Sequence, residues 1–324
     1  MARRVFITGI TGFVGSHLAE LLVARGVDVH GLAVEAPPYR TLVGLGRSVT
    51  MHRGDITDPA AMRAAVEESQ PDTLVHLAGQ AVPSLAARDP LAAVRINVLG
   101  TAVVVEALRG RPDARLVFAS SAEVYGAPTG GVAREEAPLR PSNVYAATKV
   151  AAEALVRELG ESGSTGVVIV RPVAQLGPRQ HRGLAASAFA RQIALAEAGR
   201  AEPVIRHGRL DPRRDLIDVR DMAEAYAAAG DLPAAGTQVF NVGSGRTVPI
   251  ETVLATLMRM ARVQVTGELD PDLVRPGDAT ATAVDAGAFR SRTGWAPKIP
   301  LERSLSDTLD HWRDEIAREA LAHA

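Results

Sequence analysis

Tyr145 and Lys149 stand four residues apart in VYAATKVAAEALV, a spacing that sets both side chains on one face if the stretch is helical. A tyrosine phenol titrates at about pH 10 and is a poor base near neutrality. A neighbouring ammonium, and the cationic ring of an oxidised nicotinamide, would favour the phenolate and lower that value. The pair could then exchange a proton with a sugar hydroxyl or ketone while hydride moves at the adjacent carbon. A surface tyrosine above a helix lysine gives the same pattern. Scarcity favours the chemical reading: the chain has four tyrosines, and lysine occurs only at Lys149 and Lys298. Where arginine has nearly displaced lysine, a retained lysine points to a need for a compact ammonium. Lys298, beside Pro297 in an expected loop, carries no such reading.

Ser120 and Ser121 lie upstream in SSAEVYG. A hydroxyl there could hold the reacting oxygen and stabilise charge on it, or merely satisfy the backbone at a strand end. Chemistry alone does not choose between the two. Glu123 follows two residues later; it could bond a sugar hydroxyl, cap a turn, or take a carbon-bound proton, and the hydrogen-bonding roles are preferred. Arg214 in RRDLIDVRD and Arg275 in LVRPGD are candidates for a diphosphate, which arginine grips with two prongs.

The element that must position this chemistry is Arg3–Gly26, RRVFITGITGFVGSHLAELLVARG. An apolar run at Val5–Ile7 leads into Gly9, Gly12 and Gly15, then an apolar periodic segment, which predicts strand, tight turn and helix. The first glycine permits the turn, the second lets backbone approach a diphosphate, and the third lets helix lie close to strand. The helix start would aim free N–H groups at the anion. Glu35 lies twenty residues beyond Gly15, at the end of a predicted second strand Val27–Val34, where an acid binds the adenosine ribose. A solvated loop carboxylate is the competing reading. No arginine directly follows that strand, although Arg40 is near, so the pattern leans to NAD while leaving NADP open.

Further strands are predicted at Ser48–Arg53, Asp72–Leu77, Ala114–Ala119 and Gly166–Val170, with helices at Asp89–Leu108 and Val144–Leu159 between them. Alternation of this kind predicts an α/β fold, a doubly wound parallel sheet with helices on both faces and ligand chemistry at the carboxyl ends of the strands. Beyond Pro172 the pattern loosens. Helices are expected at Leu184–Gly199, Asp221–Gly230, Ile250–Met260 and Leu301–Ala317, and extended segments at Pro203–Arg206, Asp215–Val219, Gln238–Val242 and Val263–Thr266. No repeat or linker separates the halves, so a smaller C-terminal α/β domain is expected to interleave with the first. The expected division is 1–172 with 207–247 for the dinucleotide, and 173–206 with 248–324 for the substrate.

The 324 residues carry a net charge of −1 and no cysteine. Electrostatics give no case for nucleic acid or an anionic membrane, and disulfides, thiolate nucleophiles and cysteine–zinc sites are absent. The histidines show no ligand spacing, so no metal is expected. The apolar run near the start is too short for a signal peptide, and no uninterrupted apolar stretch matches a bilayer, which makes a cytoplasmic protein the expectation.

Taken together these segments resemble the extended short-chain dehydrogenase/reductase family. The matching pieces are TGITGFVG (Thr8–Gly15), GDITD (Gly54–Asp58), HLAGQ (His76–Gln80), INVLGT (Ile96–Thr101), SSAEVYG (Ser120–Gly126), YAATK (Tyr145–Lys149), RRDLIDVRD (Arg213–Asp221) and FNVGSG (Phe240–Gly245), in the family's order. The resemblance implies a Rossmann-type fold and Ser121, rather than Ser120, as the catalytic hydroxyl beside Tyr145 and Lys149. It implies dinucleotide contacts at Gly9, Thr11, Gly12, Phe13, Val14, Gly15, Glu35, Asp55, Ile56, Leu77, Ala78, Gly79, Gln80 and Pro172. It also implies a homodimer that pairs the helices holding Asn97 and Tyr145. The candidate contacts for a nucleotide-diphosphate sugar are Glu123, Gln175, Arg214 and Arg275.

The C-terminal half, with GPRQ, ARQIALAEAG, LVRPGD and TGWAPKIPLERSL, is similar to the branch that reduces GDP-4-keto-6-deoxy-D-mannose, and TGITG to the GDP-mannose 4,6-dehydratases. Two departures stand out. Ala174 follows RPV where the family usually has asparagine, and Val34 replaces an arginine common in NADP-dependent relatives. The expected activity is C4 reduction of a GDP-4-keto-6-deoxyhexose. A redox-neutral 4,6-dehydratase or 4-epimerase with tightly held NAD is the alternative, and a non-catalytic NAD-binding sensor a third, against which the retained tyrosine and lysine speak.

Overall fold

The apolar runs of the N-terminal half sort by parity, as strands buried on both faces do. In strand β1 (Arg4–Thr8), Val5 and Ile7 enter one core while Phe6 enters another. The same alternation recurs at Leu74 and Val75 in β4, at Leu116 and Val117 in β5, and at Ile169 and Val170 in β7, the strands Thr73–His76, Arg115–Ala119 and Gly166–Pro172. This computed structural model describes residues 3–127, 131–163, 165–233, 236–274 and 281–321.

β1 is followed by helix α1 (Phe13–Ala24), β2 (Asp28–Ala33), a 3-10 segment Arg40–Ser48 and β3 (Val49–Arg53). Helix α2 (Pro59–Ser69) leads to β4, two short helices α3 (Pro83–Arg88) and α4 (Pro90–Val94), a π-helical turn Arg95–Leu99, α5 (Gly100–Leu108) and β5. A two-residue strand β6 (Val132–Ala133), helix α6 (Val144–Glu161) and β7 complete the first half. With β11 (Thr237–Val242), these strands form one seven-stranded sheet in the order β11-β7-β5-β4-β1-β2-β3, parallel throughout. The order reverses between β1 and β4, and the crevice outside their carboxyl ends is where such sheets hold ligands. Helix α8 (Val219–Asp231) packs beside α1 on one face, while α2, α5 and α6 cover the other.

The rest of the chain builds a smaller assembly. Strands β8 (Ala174–Leu176), β10 (Arg213–Asp218), β12 (Thr247–Pro249) and β14 (Ala281–Val284) join β6 in the order β12-β10-β14-β6, with β8 paired to β10. Strand β9 (Val204–His207) pairs β13 (Thr266–Leu269). Helices α7 (Ala185–Glu197), α9 (Ile250–Met260) and α11 (Leu301–Leu321) enclose a third core around Phe189, Ile193, Leu257 and Leu305, and α10 (Gly287–Thr293) packs near β11. The stretch 207–247 divides between the two assemblies: β10 lies in the smaller one and β11 in the large sheet.

The structure departs from sequence expectation in several places. Helices α2, α3 and α10, the 3-10 segment at 40–48 and the short strands β6, β8, β12 and β14 are additional elements. The expected helix Asp89–Leu108 is broken at its centre by the π-helical turn. The strand expected at Val263–Thr266 begins instead at Thr266, because its partner β9 is in register only from Val204 to His207. The run Pro90–Leu108 matches a membrane span in length and composition. It packs against α2 and α6 of this chain and carries Arg95, Asn97 and Glu106, as a core helix does.

Candidate active site

The turn after β1 is closed by glycine for steric reasons that can be measured. Gly9 sits at φ +71°, and a Cβ there would lie 2.8 Å from the Ala78 nitrogen. A Cβ on Gly15 would meet the Gly9 carbonyl oxygen at 2.1 Å. Gly12 donates to that oxygen (2.9 Å) and caps α1 without a side-chain bond. The first N–H groups of α1, with Thr11, Phe13 and Val14 at the turn, form a cradle shaped for an anion and backed by a helix start. The residues present therefore fit a dinucleotide diphosphate.

The loop after β4 completes this cradle. Thr8 Oγ1 accepts from the Ala78 N–H (3.2 Å), and the Leu77 N–H donates to the Thr8 carbonyl. A Cβ on Gly79 would stand 3.6 Å from Lys149 Nζ, so this loop runs beside the ammonium. Asn97 Oδ1 accepts from the Gln80 N–H (2.7 Å), and Asn97 Nδ2 donates to Thr148 Oγ1 (2.8 Å). The π-helical turn carries Asn97, and such turns cluster at functional sites. Glu35 and Val34 are exposed at the end of β2. Asp55 accepts from the Thr57 N–H and hydroxyl, which hold its carboxyl below the usual carboxylate range. Ile56 is buried against Gly100, and Pro172 is buried at the end of β7.

Ser121, Tyr145 and Lys149 are all buried at the carboxyl ends of β5 and β7. The Ser121 side chain lies close enough to the Tyr145 hydroxyl to favour its phenolate. Lys149 Nζ donates to the Ala119 carbonyl (2.7 Å) and stands 6.0 Å from the centre of the Tyr145 ring. Ser120 turns the other way and donates to Glu153 Oε1 (2.6 Å). The backbone at Ser121 is extended, so successive side chains point to opposite sides, and that separates two residues that chemistry alone could not. Glu123 is the second residue of a 3-10 turn, Ala122–Tyr125, and its N–H donates to Ser121 Oγ. Its carboxylate accepts from Asn143 Nδ2 (2.8 Å), while Asn143 Oδ1 caps α6 through the Ala146 N–H.

One electrostatic expectation is corrected. Tyr145 is pushed up from its ordinary value, not down: burial penalises the phenolate and the Glu123 charge repels it, against a smaller opposing effect of the Ser121 side chain. Burial also lowers Lys149, to about 8, opposed by the Glu153 charge. Behind the site, Arg171 grips Glu153 with two prongs (2.8 and 2.6 Å) and donates to the Tyr125 hydroxyl, which donates to Asn241. This buried web ties α6, the 3-10 turn after β5, β7 and β11 together; a buried pair is costly to break because the survivor is left uncompensated.

The substrate candidates are placed less tightly. Gln175 Nε2 donates to the Val173 carbonyl, and Arg214 to the Arg213 carbonyl, on the paired strands β8 and β10. Arg275 lies outside the described residues. The structure thus gathers Ser121, Glu123, Tyr145 and Lys149, and adds Asn97 and Asn143 to them. The signal for Asn143 was its place two residues before Tyr145, where asparagine caps a helix well.

Comparison with known proteins shows the family. A family profile described as GDP-mannose 4,6 dehydratase matches residues 6–308. The chain is 32% identical over 322 residues to a GDP-6-deoxy-D-mannose reductase of Pseudomonas aeruginosa, covering 98% of this chain and 100% of that one. The structure of RMD from Pseudomonas aeruginosa complexed with NADPH superposes with a TM-score of 0.82 at 30% identity, covering 97% and 100% of the two chains. The UDP-glucose 4-epimerase of Thermus thermophilus, in complex with NAD, superposes with a TM-score of 0.84 at 31% identity, covering 96% and 99%.

Proposed function

The chain belongs to the GDP-mannose 4,6 dehydratase family and is an NAD(P)-dependent enzyme of nucleotide-sugar modification; we propose that it reduces a GDP-4-keto-6-deoxyhexose at C4. One observation carries this reading: a buried phenol beside the Ser121 side chain, with the Lys149 ammonium 6.0 Å from its ring centre. A ketone reductase needs a proton donor at that place, and a phenol, protonated near neutral pH, is one. A bound nicotinamide would supply the hydride. As the carbonyl electron pair moves onto the C4 oxygen, Tyr145 gives that oxygen its proton and is left as phenolate. Lys149 stabilises the phenolate, and the Ser121 hydroxyl steadies the oxygen throughout. Glu123, held by Asn143, is placed to accept from a sugar hydroxyl. Gln175, Arg214 and Arg275 are read as sugar and diphosphate contacts.

Glu35 and Glu123 favour a second reading, a redox-neutral 4-epimerisation or 4,6-dehydration. The exposed Glu35 carboxylate would accept from ribose hydroxyls and repel a 2′-phosphate, which supports NAD; NADP remains the alternative. Residues 1–172 with 207–247 are read as the dinucleotide side and the remainder as the sugar side, with β10 serving the sugar side. A homodimer is supported by the exposed Leu91, Val94 and Leu99 beside Ala147, Ala151 and Ala154 on the adjoining face of α6.

The test is incubation with GDP-, dTDP-, UDP- and CDP-sugars, with and without NADH or NADPH, beside a Tyr145→Phe control. Cofactor consumption with a GDP-4-keto sugar is expected. The control should lose on the order of 10²–10⁴-fold in turnover while binding the dinucleotide nearly as well. Product formed without added cofactor would support the second reading instead, and a fully active Tyr145→Phe protein would end the proton-transfer account.

A further inference from the structure

GPRQ is a motif that the site above leaves without a role. Its arginine, Arg179, stands in the connection between β8 and α7 at φ +71°. Among the described residues only Gln70 shares a positive φ without being glycine, and Gln70 closes helix α2, where that conformation is ordinary. Arg179 has no such excuse. A bulky residue persists there only when its surroundings fix it.

What fixes it is a set of bonds to the dinucleotide side. Arg179 donates to Glu20 Oε2 (2.7 Å) and to His17 Nδ1 (3.1 Å), both on α1, just beyond the glycine turn. The His17 proton is then on Nε2, which donates to the Pro178 carbonyl (3.1 Å). The other Arg179 prong donates to the Thr41 carbonyl (3.1 Å), and the Thr41 hydroxyl donates to the Thr11 carbonyl inside the turn (2.9 Å). Thr41 belongs to the 3-10 segment that follows Glu35. From Glu35 to Ser48 only Leu42 is fully buried, with Tyr39 and Leu45 packed part-buried on the same core, so a narrow apolar anchor holds this strap and the polar bonds add to it.

We propose that Arg179 is a positioning residue for the dinucleotide, clasping the strap 36–48 to α1 and the glycine turn from across the molecule. A strap already ordered spares the bound dinucleotide the cost of ordering it. Glu35, at the head of the strap, is held in place to meet the ribose. This inference rests on the dinucleotide reading of the glycine turn and is independent of the sugar's identity.

Arg179→Gly separates this role from fold maintenance, because glycine adopts a positive φ freely. Three quantities are compared with the unaltered protein: the melting temperature, hydrogen exchange of the 40–48 amides, and NADH and NADPH dissociation constants by calorimetry. The expected result is an unchanged or higher melting temperature, faster exchange confined to the strap, and dissociation constants raised about tenfold, as loss of charge-assisted bonds implies. Unchanged constants with an equally protected strap would overturn the proposal. So would a lowered melting temperature with exchange raised throughout, since Arg179 would then merely hold the fold. If the unaltered protein bound neither dinucleotide, the dinucleotide reading itself would fail.

Discussion

Lys149 buries an ammonium against a carbonyl, and that sets a pH limit on whatever chemistry it supports. Its folded value of about 8 lies below its ordinary 10.5. Below pH 8 both folded and unfolded chains carry the proton, so the cost of burying the charge is fully present; it is relieved as pH rises from about 8 towards the unfolded value. Stability and activity therefore move in opposite directions through this window. The logarithm of kcat/KM, which reports the free enzyme, is expected to break near pH 8 and fall on the alkaline side. Lys149→Arg keeps its charge throughout, so any residual activity should lack the break. A flat profile to pH 10 in the unaltered protein would show that the ammonium is not needed. At this scale the sequence was informative about residue types and blind to direction. It paired Tyr145 with Lys149, but the opposite aims of Ser120 and Ser121 follow from an extended backbone that only coordinates reveal. The phenol's upward shift escaped it too, because a neighbour's charge can be read from spacing and the depth of burial cannot.

The glycine turn is the element whose tolerance is easiest to state. Gly15→Ala places a methyl 2.1 Å from a backbone oxygen that cannot swing aside. It should lower the melting temperature and weaken dinucleotide binding more than about tenfold, since the diphosphate cradle must open. Gly26→Ala is the control. Gly26 has φ +72° and open space around it, so only the backbone penalty of about 1 kcal/mol is expected, with binding intact. Equal binding in both variants would show that the turn does not hold the diphosphate. Elements of this kind were legible because their signal is local: parity along β1, β4 and β7, and glycines at fixed offsets. The π-helical turn at Asn97 was not, since one extra residue in a helix barely disturbs an apolar pattern. The 3-10 strap was hidden because its apolar anchors, Tyr39, Leu42 and Leu45, are few and set among exposed residues. The short strands β6 and β14 are paired across a long separation in sequence, and such pairing is decided by tertiary packing.

For the molecule as a whole, the apolar strip along α4, the π-helical turn and α6 predicts self-association. Leu99→Glu puts a charge on that strip away from Tyr145, and sedimentation should then show monomers where the unaltered protein gives dimers. Dimers surviving both Leu99→Glu and Ala151→Glu would place the interface elsewhere. The large sheet has a consequence for how the chain is made. Its edge strand β11 pairs with β7 in parallel over Thr237–Val242, yet everything from Val173 to Gly236 must be synthesised between the two. On a ribosome, at about 5–20 residues per second, the apolar border of β7 waits uncovered until the late strand emerges. Stalled or prematurely ended translation products that stop short of Val242 should consequently be clients of holding chaperones and prone to clumping, even though the whole dinucleotide cradle has already been built.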